Sequence, residues 1–142
     1  MMISSKGRYA LRVMIDLAEH IDEGYIPLQT IAKRQGISEK YLESILAVLS
    51  KARLLDAVRG KGGGYRLSRP AKDYTAFEIL SLTEGTLAPV TCLESGQQCE
   101  NAENCRTLPL WQGLDRTIAA YLGSYTLEDL ARMEKPLQHA EL

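Results

Sequence analysis

Residues 28–51 read LQTIAKRQGISEKYLESILAVLSK, and residues 54–68 continue as LLDAVRGKGGGYRLS. The first stretch divides at Gln35-Gly36. Pro27 opens a short helix from Leu28 to about Arg34, and Gly36 supplies a turn that stops it. Ser38 is an N-cap for a further helix over about 39–52, whose inner face is Leu42, Ile45, Leu46 and Leu49. Two helices joined by a tight glycine turn form a helix-turn-helix pattern, with Ile31, Ala32, Ile37, Leu42 and Ile45 as the small core that fixes their axes. Ser38, Glu39, Lys40, Tyr41, Glu43 and Ser44 fall on the outer and leading faces of the second helix. They can donate, accept and stack, as a major groove requires of the N-terminal part of a recognition helix. A plain helical hairpin shares this pattern, so residues 54–68 decide between the two.

Those residues make a β-hairpin. Residues 54–58 read as a strand, 59–64 as a turn and 65–68 as a returning strand of alternating character. A hairpin directly after a helix-turn-helix is a wing. Its glycine-rich tip carries Arg59 and Lys61; glycines let backbone approach a phosphate, and an arginine at such a tip can enter a narrow minor groove. A nucleotide-binding loop is excluded, because no Gly-Lys-Ser/Thr is present and a strand, not a helix, comes next.

Working outward, Ser4 or Ser5 caps a first helix to about His20, with Tyr9, Ala10, Val13, Met14, Leu17 and Ala18 at helical spacing. Thr75 and Glu78 form a capping box for a helix over about 76–84, stopped by Gly85. Thr107 is the expected cap of a long helix with Pro109 in its first turn. Leu108, Trp111, Leu114, Ile118, Tyr121 and Leu122 make its apolar stripe. A lone helix-turn-helix reads one half-site, so this stripe is expected to be a dimer seam, although intramolecular core gives the same spacing. Thr126 with Asp129 resembles a second capping box, starting a short helix to about Met133. The fold class is therefore mainly α: a winged helix-turn-helix domain (1–85) with a small β-hairpin wing, a cysteine-rich loop (86–106), a long C-terminal dimerisation helix with a short following helix (107–133), and a tail (134–142).

The net charge of -1 over 142 residues hides an asymmetry. Residues 1–72 carry 13 Lys+Arg against 7 Asp+Glu, and residues 73–142 carry 4 against 11. A basic half is the electrostatic footprint of a polyanionic partner, here double-stranded DNA. The chain shows neither an apolar run of membrane-spanning length nor the apolar core of a signal peptide, so a cytoplasmic protein without a membrane partner is expected.

All three cysteines fall in the polar stretch TCLESGQQCENAENCRT, as Cys92, Cys99 and Cys105. An odd count in a reducing compartment argues against a disulfide framework. Soft thiolates select iron–sulfur clusters, Cu(I) or zinc. Three ligands on one loop leave a fourth position open, for which Glu94, Glu100, Glu103 and the histidines His20 and His139 are candidates. A closed structural zinc site in a protein-binding adaptor lacks its fourth Cys or His. A thiol oxidoreductase lacks a C-x-x-C beside a βαβ pattern. Direct sensing of oxidants or thiols by the cysteines, without metal, is an alternative.

The runs ISSKGRYAL, QGISEKYLE and RGKGGGY, the cysteine triplet with Leu110-Trp111, and TLEDL together closely resemble the Rrf family of winged-helix transcription regulators, the relatives of IscR, NsrR and CymR, over about residues 2–133. The resemblance implies a homodimeric, non-enzymatic DNA-binding regulator, expected to act as a repressor. It implies that Cys92, Cys99 and Cys105 hold an iron–sulfur cluster, 2Fe-2S as in the IscR type or another form as in NsrR relatives, one that can be absent from protein isolated in air. It further implies that Tyr41, Glu43 and Ser44 meet base edges, that Glu43 discriminates between classes of DNA site, and that Arg59 enters the minor groove. Lys6, Arg8, Lys40, Lys61 and Arg66 are the expected phosphate contacts. Cluster-assembly proteins are candidate partners, and genes of iron–sulfur assembly, cysteine or iron metabolism are the expected targets. The pattern departs at the fourth ligand: Leu108 stands where the IscR type has histidine, and Arg8 where the NsrR type has an acid.

Overall fold

A computed structural model describes residues 2–94 and 99–135. The order is α1 (Ser5–Glu19), α2 (Leu28–Gln35), α3 (Glu39–Lys51), β1 (Leu55–Val58), β2 (Gly64–Leu67), α4 (Ala76–Glu84), α5 (Leu108–Gly123) and α6 (Leu127–Arg132), with four short 3₁₀ turns between. Among the described residues, no helix is long and apolar enough to cross a membrane.

The local signals act as expected at most helix ends. The Ser4 side chain accepts from the Gly7 N–H, and Ser38 from the Tyr41 N–H. Gly36 ends α2 in the left-handed conformation at φ 66°. Thr126 and Asp129 form a complete capping box on α6. Two expectations need correction. Thr75 caps α4, but its box is half-built: the Glu78 carboxylate turns instead to Arg69, 2.6 Å away. Thr107 makes no side-chain cap on α5. Its hydroxyl lies 3.4 Å from Cys105 Sγ.

The core gathers the inner stripes of α1 (Ala10, Val13, Met14, Leu17) and α3 (Leu42, Ile45, Leu46, Leu49) around Ile31, Leu54, Leu55, Leu67, Tyr74 and Ile79. Each large aliphatic side chain buried this way contributes about 1.5–3 kcal/mol. Leu127 of α6 joins the same core. Its N–H donates to Tyr74 O at 2.9 Å, and Ala76 N–H donates to Tyr125 O at 3.0 Å. The chain thus leaves the core through the cysteine segment and α5 and returns to it at α6.

Two polar devices fix the helix-turn-helix and the wing. Asp16, 3% exposed, faces inward from α1. A buried carboxylate must be paired. Arg34 meets it with two N–H···O bonds at 2.6 and 3.1 Å, and Gln35 with a third at 2.8 Å, which pins α2 to α1. Tyr74 is wholly buried, and its hydroxyl accepts from the Ser68 and Arg69 N–H groups and donates to Leu54 O at 2.7 Å. That hydroxyl closes the base of the hairpin. β1 and β2 pair antiparallel in the register Leu55↔Leu67 to Val58↔Gly64. Ile26 adds a bridge to Tyr65 on the far side of β2, joining the wing to the segment before α2.

Candidate nucleic-acid interface and cysteine cleft

α3 presents Glu39, Lys40, Glu43 and Ser44 to solvent, on the side opposite its core stripe. Ser38 is exposed as well, with its oxygen engaged in the cap. The Ser44 hydroxyl donates to Tyr41 O at 2.6 Å, leaving its lone pairs outward. Tyr41 differs from the expectation of an outer-face residue: it is half-buried, with its ring edge-on to Tyr9 at 5.8 Å. The helix therefore offers two carboxylates, one ammonium and two hydroxyls on a rigid support.

At the wing tip Arg59 and Lys61 are exposed, and neither forms an ion pair among the described residues. A groove of about 430 Å³ runs between the tip and the start of α2, lined by Gln29, Arg59 and the tip glycines. Arg66 is less available than the sequence suggested. Its guanidinium stacks on Tyr25 at 4.4 Å and lies 3.8 Å from Asp56. On α1, Arg8 is exposed and Lys6 half-buried.

Cys92 is half-buried, Cys99 exposed and Cys105 half-buried, and all three are free thiols. Cys92 and Cys99 line one open cleft of about 550 Å³ with Glu100, Glu103, Leu108 and Gln112. Cys105 does not line it. Its sulfur faces Thr107, whose hydroxyl and backbone N–H hold the thiol below its ordinary pKa. Among the described residues no three Cys, His, Asp or Glu side chains converge on a single metal position. As a donor set the segment still fits a thiophilic group. Two thiols share a cleft, the third is biased toward thiolate, and carboxylate oxygens stand beside them. Leu108 contributes only hydrocarbon there. Of the other fourth-ligand candidates, Glu94 does not line the cleft, His20 has its Nδ1 bonded to the Asp16 backbone oxygen at 2.7 Å and does not line it either, and His139 lies outside the described residues.

The expected dimer stripe on α5 has no buried member. Of its members, Leu114 and Tyr121 are 41% and 61% exposed while Leu108, Trp111, Ile118 and Leu122 are half-buried; Leu110, outside that stripe, is 62% exposed. Sequence reasoning did not single out Asp16 or Tyr74. Asp16 was detectable in principle, since a carboxylate at a core-facing position of an amphipathic helix must find a partner. Tyr74 carried no local signal.

Compared with known proteins, residues 3–133 match the Rrf2 family, described as an iron-dependent transcriptional regulator. The HTH-type transcriptional regulator IscR of Xenorhabdus nematophila is 39% identical over 141 residues, covering 99% of this chain and 85% of that protein. Among solved structures, CymR (YrzC), the global cysteine regulator of B. subtilis, superposes with a TM-score of 0.77 at 37% identity, covering 95% of this chain and 99% of that one. T. potens IscR gives a TM-score of 0.72 at 35% identity, covering 96% and 94%.

Proposed function

This chain belongs to the Rrf2 family of transcription regulators, a DNA-binding winged-helix family and not an enzyme family, and from that premise we propose that it is a homodimeric repressor whose operator binding is governed by an iron–sulfur cluster at Cys92, Cys99 and Cys105. The observation that carries the proposal is the shared cleft of Cys92 and Cys99 at the foot of α5, one short segment downstream of α4 and the wing. A 2Fe-2S cluster held by these thiolates would supply a centre sensitive to oxidants and to iron supply.

The chain's own residues divide the remaining work. Lys6, Arg8, Lys40 and Lys61 meet backbone phosphates, with Arg66 a weaker contributor because of its stacking on Tyr25. Glu43, Ser44 and the polar edge of Tyr41 read base edges, and Arg59 enters the minor groove. α5 presents Leu110, Leu114 and Tyr121 to the same face of a second copy. Ordering of the cysteine segment is transmitted to α4 and α5, which it joins, and so to the spacing of the two recognition helices. The targets are genes of iron–sulfur assembly, cysteine or iron metabolism.

Anaerobic preparation tests the reading. Iron and acid-labile sulfide in equal amounts, with visible absorption, are expected. Arg59→Ala should weaken operator binding and leave that spectrum intact. Cys99→Ala should remove the spectrum from a dimer that stays folded. Colourless protein with undiminished DNA affinity would overturn cluster control. The lowered pKa of Cys105 supports a second reading, in which the thiols themselves are oxidised and the regulator works without metal.

A further inference from the structure

We propose that a cavity between α4 and α5 binds a small organic ammonium compound, which acts as an effector of the regulator. The cavity measures about 250 Å³. Phe77 and Ser81 line it from α4, Asp115 and Ile118 from α5, and Leu87 and Leu93 from the segment that joins the two helices. It shares only Leu93 with the cysteine cleft and no residue with the groove at the wing tip. The effector role rests on the regulator reading above; the binding site does not.

Asp115 sets the charge of the ligand. It is half-buried, and among the described residues it forms no ion pair. Its helical neighbours at three- and four-residue steps are Trp111, Gln112, Ile118 and Ala119, none of them a cation. Arg116, next in sequence, lines a different hollow with Gly113, Thr117 and Ala120. A carboxylate partly withdrawn from water and without a counter-charge favours a cation beside it. No Lys, Arg or His lines the cavity, so an anion finds no counter-charge there, and neither does the carboxylate of a free amino acid. The walls set the body of the ligand. Phe77, Leu93 and Ile118 are half-buried and Leu87 is buried, which makes them apolar surfaces around the carboxylate. The Ser81 hydroxyl offers an ammonium group a second acceptor. At the ~30 Å³ that one water takes up in the liquid, the space holds about eight non-hydrogen atoms. A mainly apolar hollow with a few convergent polar groups is the usual build of a small-molecule site.

The position of the cavity gives the ligand its leverage. α4 belongs to the first core through Ile79, alongside the stripes of α1 and α3. α5 carries Leu114 and Tyr121, the face offered to a second copy in the proposed dimer. A ligand seated between the two helices favours one angle between them, and so one spacing of the two recognition helices. Leu87 and Leu93 stand at the start of the cysteine segment, so the same ligand bears on the chain that carries the thiols.

The test titrates full-length protein with isoamylamine, and with isoamyl alcohol and isovalerate as its neutral and anionic counterparts. Calorimetry reads binding, and fluorescence anisotropy reads affinity for a duplex from upstream of its own gene. Isoamylamine should saturate with a Kd of about 1 mM or tighter, a strength open to a ligand of its size. The alcohol should bind at least about tenfold more weakly, for want of a charge-assisted bond to Asp115, and isovalerate should not saturate. Asp115→Asn should lose the preference for amine over alcohol and keep the unfolding temperature and oligomeric state of wild type. Ala119→Leu, which narrows the cavity and leaves its charge, should weaken amine and alcohol alike. Saturating amine should shift operator affinity several-fold, and the operator should shift amine affinity by the same factor. The proposal is overturned if wild type binds amine and alcohol equally, or if Asp115→Asn binds the amine as wild type does. Dissociation of the protein to monomers in Asp115→Asn would overturn it too, by assigning the carboxylate to an ion pair with a second copy. Operator affinity that stays constant at saturating amine would overturn the effector role. Amine saturation in a protein that binds no duplex would overturn the regulator reading, whereas normal operator binding without amine saturation removes the amine site alone.

Discussion

Tyr74 shows how much one hydroxyl can hold. It satisfies two backbone N–H groups and one carbonyl, all at the foot of the wing, from a side chain with no exposed surface. Tyr74→Phe leaves the ring packed, strands the Arg69 N–H and leaves the Ser68 N–H and the Leu54 carbonyl only their long 3.4 Å contact with each other, so a loss of about 1–3 kcal/mol is expected, read as a lower urea midpoint. Cys105 is the second residue that the surroundings alter. Hydrogen bonds from the Thr107 hydroxyl and N–H favour its thiolate, so the folded pKa lies below the ordinary thiol value. In metal-free protein, alkylation of Cys105 should therefore reach half its maximal rate at lower pH than for an unperturbed thiol. Thr107→Val should move that midpoint up. Neither property was legible in the sequence. A buried tyrosine hub is assembled from Leu54, Ser68 and Arg69, up to 20 residues away, and Thr107 looked like a helix cap because Ser/Thr before an apolar stripe normally is one.

At the scale of elements, the caps and stripes of α1–α4 and the wing were legible because they are local: Ser4, Ser38, Gly36 and Thr75 each act within four residues of where they stand. The return of α6 to the first core was not, because it depends on Leu127 meeting residues of α1 and on Thr75 pairing with Thr126 across the whole cysteine segment. The cysteines themselves were plain, while their separation into a pair at the cleft and a third beside Thr107 needed the path of the chain. One local device bears directly on the proposed DNA interface. The Ser38 oxygen accepts from Tyr41 N–H at 3.1 Å and holds the first turn of α3, which carries Lys40 and Tyr41. Ser38→Ala should cost about 1 kcal/mol in unfolding free energy. Operator affinity should fall with it, and Ser38→Thr should recover both in paired denaturation and gel-shift measurements.

For the whole molecule, charge and apolar surface are sorted to opposite ends of the sequence. The first 72 residues hold 13 of the 17 Lys and Arg, while residues 73–142 hold 11 of the 18 acids and the unburied helix α5. An acidic second half repels DNA and keeps the basic face as the one that approaches it. The same half carries Leu110, Leu114 and Tyr121, large apolar side chains that a monomer would leave in water. In the proposed dimer, pairing two copies along α5 would remove that cost and carry two recognition helices to one duplex. Leu114→Glu places a charge in the middle of this face without touching the first core, in which Leu114 has no part. Sedimentation should then find a monomer whose thermal unfolding still shows the core transition. Its affinity for a two-half-site operator should fall by about 10²–10⁴-fold, since binding of the second half-site is no longer intramolecular, while its affinity for a single half-site stays near that of wild type. A Leu114→Glu protein that remains dimeric would mean that another surface joins the copies, and that the α5 stripe serves something else.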